Sequence, residues 1–119
     1  MDRDRRRPEA WLPLRPVEFH ILLSLSAGER HGYGIIQEAE ARGEANAPDV
    51  GTLYRALARM TEQGLIAPSS RRQAGDAADE RRNYYRITPQ GSKVARAEAR
   101  RLEALTQAAR MGGLLEQTA

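Results

Sequence analysis

The chain has 119 residues, 19 of them basic and 16 acidic, so its formal net charge is only +3. This length suits one domain of ordinary size. The absence of cysteine excludes disulfide scaffolds, thiolate metal sites and cysteine nucleophiles. His20 and His31 are not spaced as zinc ligands are, so no metal or other cofactor is expected. No apolar run could cross a membrane, and the charged N-terminus lacks the apolar core of a secretory signal, so a cytoplasmic protein is expected.

The positive charge is unevenly distributed. Residues 1–60 contain nine basic and nine acidic side chains, whereas residues 61–119 contain ten and seven. Without the acidic segment 74–80, residues 49–93 contain eight basic and two acidic side chains, a local net charge of +6. Eighteen of the 19 basic residues are arginine, whose guanidinium group suits phosphate and guanine recognition. Compositional bias would give the same arginine excess, so the charge indicates nucleic acid only in combination with a fold.

Two helices are predicted after a charged, proline-containing arm over residues 1–13. The first begins near Pro16, because proline fits the first helical turn, and ends before Gly28. It is apolar on most sides, with Phe19 and Leu23 widening the stripe, which predicts a buried central helix. The second helix spans residues 31–42, with an inner face consisting of Tyr33, Ile35, Ile36 and Ala39.

A third helix is predicted over residues 49–64, with Asp49 as its N-cap. Its apolar stripe contains Leu53, Leu57 and Met60. Residues three or four apart share the opposite face, and they are Thr52, Arg55, Arg59 and Gln63. The second and third helices, joined by a short polar turn, have the spacing of a helix-turn-helix.

A β-hairpin is predicted next, with strands over residues 65–70 and 81–88. The loop of residues 71–80 is too long for a two-residue turn. Four arginines flank this loop: Arg71, Arg72, Arg81 and Arg82. The acidic segment 74–80 at the tip argues against deep insertion into a minor groove, so any phosphate contact is expected on the flanks.

The last helix is predicted over residues 89–112, with Thr88 as its cap and Pro89 in its first turn. Residues 113–119 are expected to be a frayed tail. The helix is long, and its apolar stripe is thin, which favours a helix–helix interface between two copies. The alternative is a solvated helix lying on its own domain. The predicted stripe contains Val94, Ala95, Leu102, Leu105 and Ala109.

The element order therefore predicts a mainly α protein with a small β-hairpin: a winged helix-turn-helix over residues 14–88 and a C-terminal dimerisation helix. A major groove admits one helix, whose exposed side chains reach base edges. Thr52, Arg55 and Arg59 fit that role, and the hydroxyl of Tyr54 is a candidate phosphate contact. The alternative is a solvated amphipathic helix with ordinary surface arginines. The arginines of the N-terminal arm are either a second DNA contact or part of a solvated tail.

Three motifs together resemble the PadR family of transcriptional regulators. They are residues 31–35 (HGYGI), residues 51–57 (GTLYRAL) followed by 63–66 (QGLI), and residues 82–91 (RNYYRITPQG). The resemblance covers about residues 14–107. It implies a winged helix-turn-helix with a C-terminal dimer helix, usually a repressor at a palindromic operator, with Thr52, Tyr54 and Arg55 on the DNA-reading helix.

Some members of that family bind a phenolic acid or a flat hydrophobic drug near the dimer interface. The terminal helix of this chain has no aromatic residue, so the sequence leaves open whether an effector binds and which one. Trp11, the only tryptophan, is expected to pack on the partner's terminal helix or to line a ligand pocket. The predicted dimer contacts are thus Trp11, Val94, Leu102, Leu105 and Ala109.

The sequence predicts a homodimeric DNA-binding regulator, a repressor at an inverted repeat, with double-stranded DNA, a second copy and a small hydrophobic or aromatic effector as partners. A winged-helix protein-interaction module that does not bind DNA is the alternative. An enzyme is not expected, because the chain lacks cysteine, a His–carboxylate arrangement and a phosphate-binding loop.

Overall fold

The computed structural model describes residues 7–43, 47–69 and 83–117. Three parts of the predicted interface lie outside these residues, so the predictions made for them stay predictions. They are residues 1–6 of the N-terminal arm, the acidic segment 74–80, and the wing arginines Arg71, Arg72, Arg81 and Arg82. The described elements, after a short 3-10 helix at Pro8–Trp11, are α1 (Pro16–Ser26), β1 (Arg30–His31), α2 (Gly32–Ala41), α3 (Val50–Glu62), β2 (Ile66–Pro68), β3 (Tyr84–Ile87) and α4 (Pro89–Met111).

The predicted mainly α fold with a small antiparallel sheet is confirmed, and the sheet has one strand more than the predicted hairpin. The described strands form an antiparallel sheet in the order β1-β3-β2. β3 pairs with β2 through Ile66 and Ile87, and with β1 through His31 and Tyr84. β1 has only two residues, which is too short for an alternating pattern to be visible in the sequence. Its pairing attaches the sheet directly to the start of α2.

The core is built around α1, whose Ile21, Leu22 and Leu25 are buried. α1 was predicted to be buried on most sides, but Phe19 is only half-buried and Leu23 is exposed. These two residues are four positions apart and so form one strip along the helix. The strip lines clefts whose other walls include residues of α4, so part of α1 lies at the surface beside α4.

Side-chain caps fix where three helices begin. The predicted caps are confirmed: an Asp49 carboxylate oxygen accepts the N–H of Thr52 at 2.7 Å, and the Thr88 hydroxyl accepts that of Gly91 at 3.0 Å. α2 starts one residue later than predicted, because His31 is its N-cap and accepts a backbone N–H at its Nδ1. The hydrogen bond from the Thr52 N–H is the main reason why the pKa of Asp49 lies below its ordinary value.

Tyr33 does not lie on the inner face of α2, as predicted, because its side chain is 57% exposed. Ile35, Ile36 and Ala39 do form that face and are buried. At about 100° per residue, Tyr33 lies more than about 100° around the helix from the centre of these three. A helical projection therefore separates Tyr33 from the buried face.

The two halves of α4 have different environments. Gly91, Val94, Ala97 and Glu98 are buried, and all of them belong to the first half of the helix. Val94 is completely buried in the core of its own chain, so it offers no surface to a second copy, and the prediction of Val94 as a dimer contact is wrong. The predicted domain boundary between residues 88 and 89 stays a prediction.

Trp11 also packs within its own chain. Its side chain is half-buried against the core cluster, and the 3-10 helix that carries it contacts α4. This packing leaves part of Trp11 exposed, so the contact with a partner's terminal helix and the ligand pocket both stay predictions. The sequence could not distinguish a contact with the partner's helix from one with the chain's own, because either helix presents the same residues.

We predict that Gly91→Ala destabilises the protein by about 1–3 kcal/mol or more, because a Cβ there would clash with the carbonyl oxygen of Leu65. Gly112→Ala is the matched control, since Gly112 has φ −86° and its nearest contact would be 3.4 Å away. Urea unfolding measures both variants. Equal stability of the two variants would contradict the close approach of α4 to residue 65.

The buried carboxylate of Glu98 joins α4 to the segment before α1. Its side chain is almost fully buried; it accepts the Leu14 N–H at 3.0 Å and a guanidinium N–H of Arg101 at 3.0 Å. The hydrogen bonds from Arg101 lower the pKa of Glu98 below its ordinary value of about 4.5, against the opposing effect of burial. A carboxylate with a lowered folded-state pKa stabilises the fold above its unfolded-state pKa.

We predict that Glu98→Gln lowers the free energy of unfolding at pH 7 by roughly 1.5–3 kcal/mol, the range for hydrogen bonds to charged groups. Below about pH 4.5 the unfolded chain takes up the Glu98 proton before the folded chain does. The difference between wild type and variant therefore shrinks as the pH falls through the folded-state pKa. Urea unfolding between pH 7 and pH 3 measures this difference, and a constant value would contradict the assignment.

Candidate nucleic-acid interface

The orientation of α3 is set by its buried side. Leu53, Ala56, Leu57 and Met60 are completely excluded from solvent, and the helix contacts both α1 and α2. The opposite side is exposed and consists of Gly51, Arg55, Ala58 and Glu62. The positive charge of this face lies in its N-terminal half and the negative charge at its C-terminal end. Any contact with a polyanion is therefore favoured at the N-terminal half.

Arg55 lies on this exposed face, as predicted. Its Nη2 lies 3.4 Å from the hydroxyl oxygen of Thr52, and its Nη1 passes close to Gly51, where a Cβ would lie 3.2 Å away. The positive charge of Arg55 also contributes to the lowered pKa of Asp49. The guanidinium group is therefore held beside the first turn of α3, with Thr52 as its neighbour.

Arg59 has a different environment from Arg55, although both were predicted as DNA contacts. Its Nε and Nη2 donate to one carboxylate oxygen of Glu18 at 3.3 and 3.2 Å. The other oxygen of Glu18 accepts the backbone N–H of Arg15 at 2.9 Å. Arg59 is thus turned toward the first turn of α1 and ties α3 to it, instead of projecting from the exposed face.

Tyr54 is half-buried on the other flank of α3. A Cβ at Gly32 would lie 2.7 Å from the Tyr54 hydroxyl oxygen and 2.8 Å from the ring carbon that bears it. A side chain at position 32 would therefore displace Tyr54, which explains the glycine at the first residue of α2. This contact sets the spacing between α2 and α3, and the predicted phosphate contact of the hydroxyl stays a prediction.

Two exposed residues near the starts of α2 and α3 were not identified from the sequence as site residues. Tyr33 is 57% exposed and Val50 is 58% exposed. Val50 is the first residue of α3 and Tyr33 the second residue of α2. A helical projection of α2 identifies Tyr33, because it places this residue away from the buried face. Val50 gives no such signal, because its exposure depends on its place in the first turn.

The base of the wing is attached to the segment before α2. The Ser69 hydroxyl donates to a carboxylate oxygen of Glu29 at 2.6 Å, and the Ser69 N–H donates to the Tyr84 carbonyl at 2.8 Å. The rings of His31 and Tyr84 meet edge to face, with centroids 5.4 Å apart. Ser69, after β2, and Tyr84, at the start of β3, are thereby held beside the start of α2.

An apolar surface lies between α1 and α4, and no residue of α3 lines it. A cleft of about 410 Å³ there is bounded by Phe19, Leu23 and Leu102, among other residues. At its edge Arg42 lies 3.0 Å from His20 Nδ1. A second cleft, of about 270 Å³, shares Phe19 and Leu23 and continues the surface along the first half of α4. We call this region the α1/α4 surface.

Within residues 7–43, 47–69 and 83–117 no group of His, Asp and Glu side chains is arranged to hold a metal ion. In the same part of the chain no helix combines the length and the apolar character needed to span a membrane.

The sequence matches the transcriptional regulator PadR-like family over residues 21–97, more than half of the chain. A solved transcriptional regulator from Clostridium thermocellum is 29% identical, with a TM-score of 0.64 over 80% of this chain and 87% of that one. A PadR family regulator from Clostridium difficile is 21% identical, with a TM-score of 0.65 over 80% and 95% of the two chains. A PadR-like transcription factor from Bacteroides fragilis is 21% identical, with a TM-score of 0.65 over 80% and 87%. The search of curated protein sequences found no match.

Proposed function

The chain belongs to the PadR-like family of transcriptional regulators, and from this premise we propose that it is a cytoplasmic repressor that binds an inverted-repeat operator as a homodimer. The observation that carries the proposal is the exposed, positively charged N-terminal half of α3, held outward by a completely buried opposite side. In helix-turn-helix proteins the N-terminal residues of the second helix contact base edges in the major groove.

Within this proposal the residues of α3 have different roles. Arg55 contacts a guanine or a phosphate, and Thr52 lies beside it as a second polar contact. Tyr54 and Tyr33 carry hydroxyl groups near the starts of α3 and α2, where contacts with the phosphate backbone are expected. Arg59 positions α3 through Glu18 and does not read DNA. The predicted contacts of the wing arginines complete the interface.

Dimerisation is proposed through the second half of α4 together with the α1/α4 surface. No residue of α4 after Glu98 is buried, and Leu105 is 55% exposed. At about 1.5 Å per residue the 23-residue helix is about 34 Å long, so a second copy can lie against it and cover Leu102, Leu105 and Ala109. Two recognition helices would then enter successive major grooves about 34 Å apart.

Effector control is part of the same proposal. The larger cleft of the α1/α4 surface falls in the size range of small-molecule sites, and its walls are largely apolar. A small hydrophobic or aromatic effector bound there would contact the same residues as the second copy. By linkage, it would change the dimer and the DNA affinity together.

We predict that Arg55→Ala weakens binding to the operator by about 1–3 kcal/mol if Arg55 reads a base. Arg59→Ala is the matched control, four residues along the same helix, because it removes the same charge. Since Arg59 pairs with Glu18, this variant is expected to lower the free energy of unfolding by about 0.5–1.5 kcal/mol. Fluorescence anisotropy with a duplex selected by the wild-type protein measures affinity, and urea unfolding measures stability.

The two variants distinguish the proposed roles. Equal losses for Arg55→Ala on the selected duplex and on random DNA would assign Arg55 to a phosphate. A larger loss of affinity for Arg59→Ala than for Arg55→Ala would contradict the assignment of roles. If the wild-type protein binds no duplex at about 50 mM salt, where phosphate contacts are strong, the protein-interaction module replaces the proposed function.

We also predict that Leu105→Glu converts the dimer to a monomer, because it places a charge in an apolar helix–helix contact. Ala104→Glu is the control, since residue 104 is exposed and lies about 100° around the helix from residue 105. Sedimentation equilibrium at micromolar concentration measures the mass. A dimer that survives Leu105→Glu, or that is lost equally in both variants, would contradict the proposed interface.

A further inference from the structure

Val50 is an exposed apolar residue that the roles assigned so far do not explain. It is the first residue of α3, and 58% of its side chain is exposed. Other exposed large apolar residues, such as Leu23 and Leu105, lie on α1 or α4, where a second copy is proposed to cover them. Val50 lies instead on the helix proposed to enter the major groove.

The neighbours of Val50 leave it accessible to a DNA base. Asp49 turns its carboxylate back to the Thr52 N–H, and Gly51 has no side chain, so the first turn of α3 can approach a base pair closely. Arg55 covers Gly51 on one side. Tyr54, four residues on, occupies the position next to Val50 on the helix surface. The isopropyl group of Val50 and the guanidinium group of Arg55 thus lie on either side of Gly51, about 140° apart around the first turns of the helix.

The chemistry of this pair points to particular bases. Of the four bases, only thymine presents a methyl group in the major groove, whereas guanine presents two acceptors that suit arginine. Valine offers no hydrogen bond, and its branched side chain is restricted at χ1, so it fits a methyl group better than a polar base edge. We propose that Val50 is a specificity-determining residue that reads the C5 methyl group of one thymine in each half-site, in addition to the contact made by Arg55. This inference rests on the proposed function.

The test replaces thymine by deoxyuridine, which removes only the methyl group. Duplexes are first selected by the wild-type protein from a randomised library, and each thymine of the half-site is then replaced in turn, in both half-sites. The expected result is one thymine whose replacement weakens binding roughly fourfold per half-site, the effect of exposing one buried methyl group. Fluorescence anisotropy at a fixed salt concentration measures the affinity.

A double-mutant cycle assigns the effect to Val50. In Val50→Ala the same replacement should have little effect, whereas Ala58→Ser, a change further along the exposed face of α3, should keep the full effect. If every deoxyuridine replacement leaves wild-type affinity unchanged, or if Val50→Ala is as sensitive as wild type, the inference is wrong while the proposed function stands. If the selection enriches no duplex, the proposed function and the inference fail together.

Discussion

Leu53, Ala56, Leu57 and Met60 bury one whole side of α3 against α1 and α2, and this packing determines what the opposite side can do. Because a helix has only one face left once the other is enclosed, Arg55 and Gly51 point to solvent. Two further contacts fix how the helix sits: the ion pair between Arg59 and Glu18, and the close packing of Tyr54 on Gly32. The candidate interface is therefore a consequence of core packing, and the arginines on α3 divide between holding the helix and facing outward.

Periodicity and capping chemistry were enough to predict the helices and the β-hairpin. The caps at Asp49 and Thr88 were predicted because an acceptor side chain precedes each apolar pattern, and both are confirmed. The roles of Arg55 and Arg59 could not be separated in the same way. They are identical residues four positions apart, and the difference between them comes from Glu18, 41 positions away in the sequence. A long-range ion pair has no local signal. The two-residue strand β1 is invisible for a related reason, since its pairing with Tyr84 and Tyr85 depends on tertiary structure.

The two halves of α4 have different environments, although their apolar residues form one continuous stripe in the sequence. Its first half closes the core, where Val94 is enclosed and Gly91 allows close contact with residue 65. Glu98, held by Arg101 and the Leu14 N–H, marks the end of that half. Beyond it no residue of the helix is buried. The net charge of +3 similarly hides two kinds of arginine, because Arg59 and Arg101 pair with carboxylates of the same chain, whereas Arg55 lies on the exposed face of α3.

The central claim is that the N-terminal half of α3 is the DNA-contacting surface. It is tested most directly by titrating the ¹⁵N-labelled protein with a duplex and following the backbone amide signals by NMR. We expect the largest changes at Gly51, Thr52 and Arg55, with further changes at Tyr33 and little change in the second half of α4. Changes concentrated on the α1/α4 surface, with the first turn of α3 unaffected, would contradict the account.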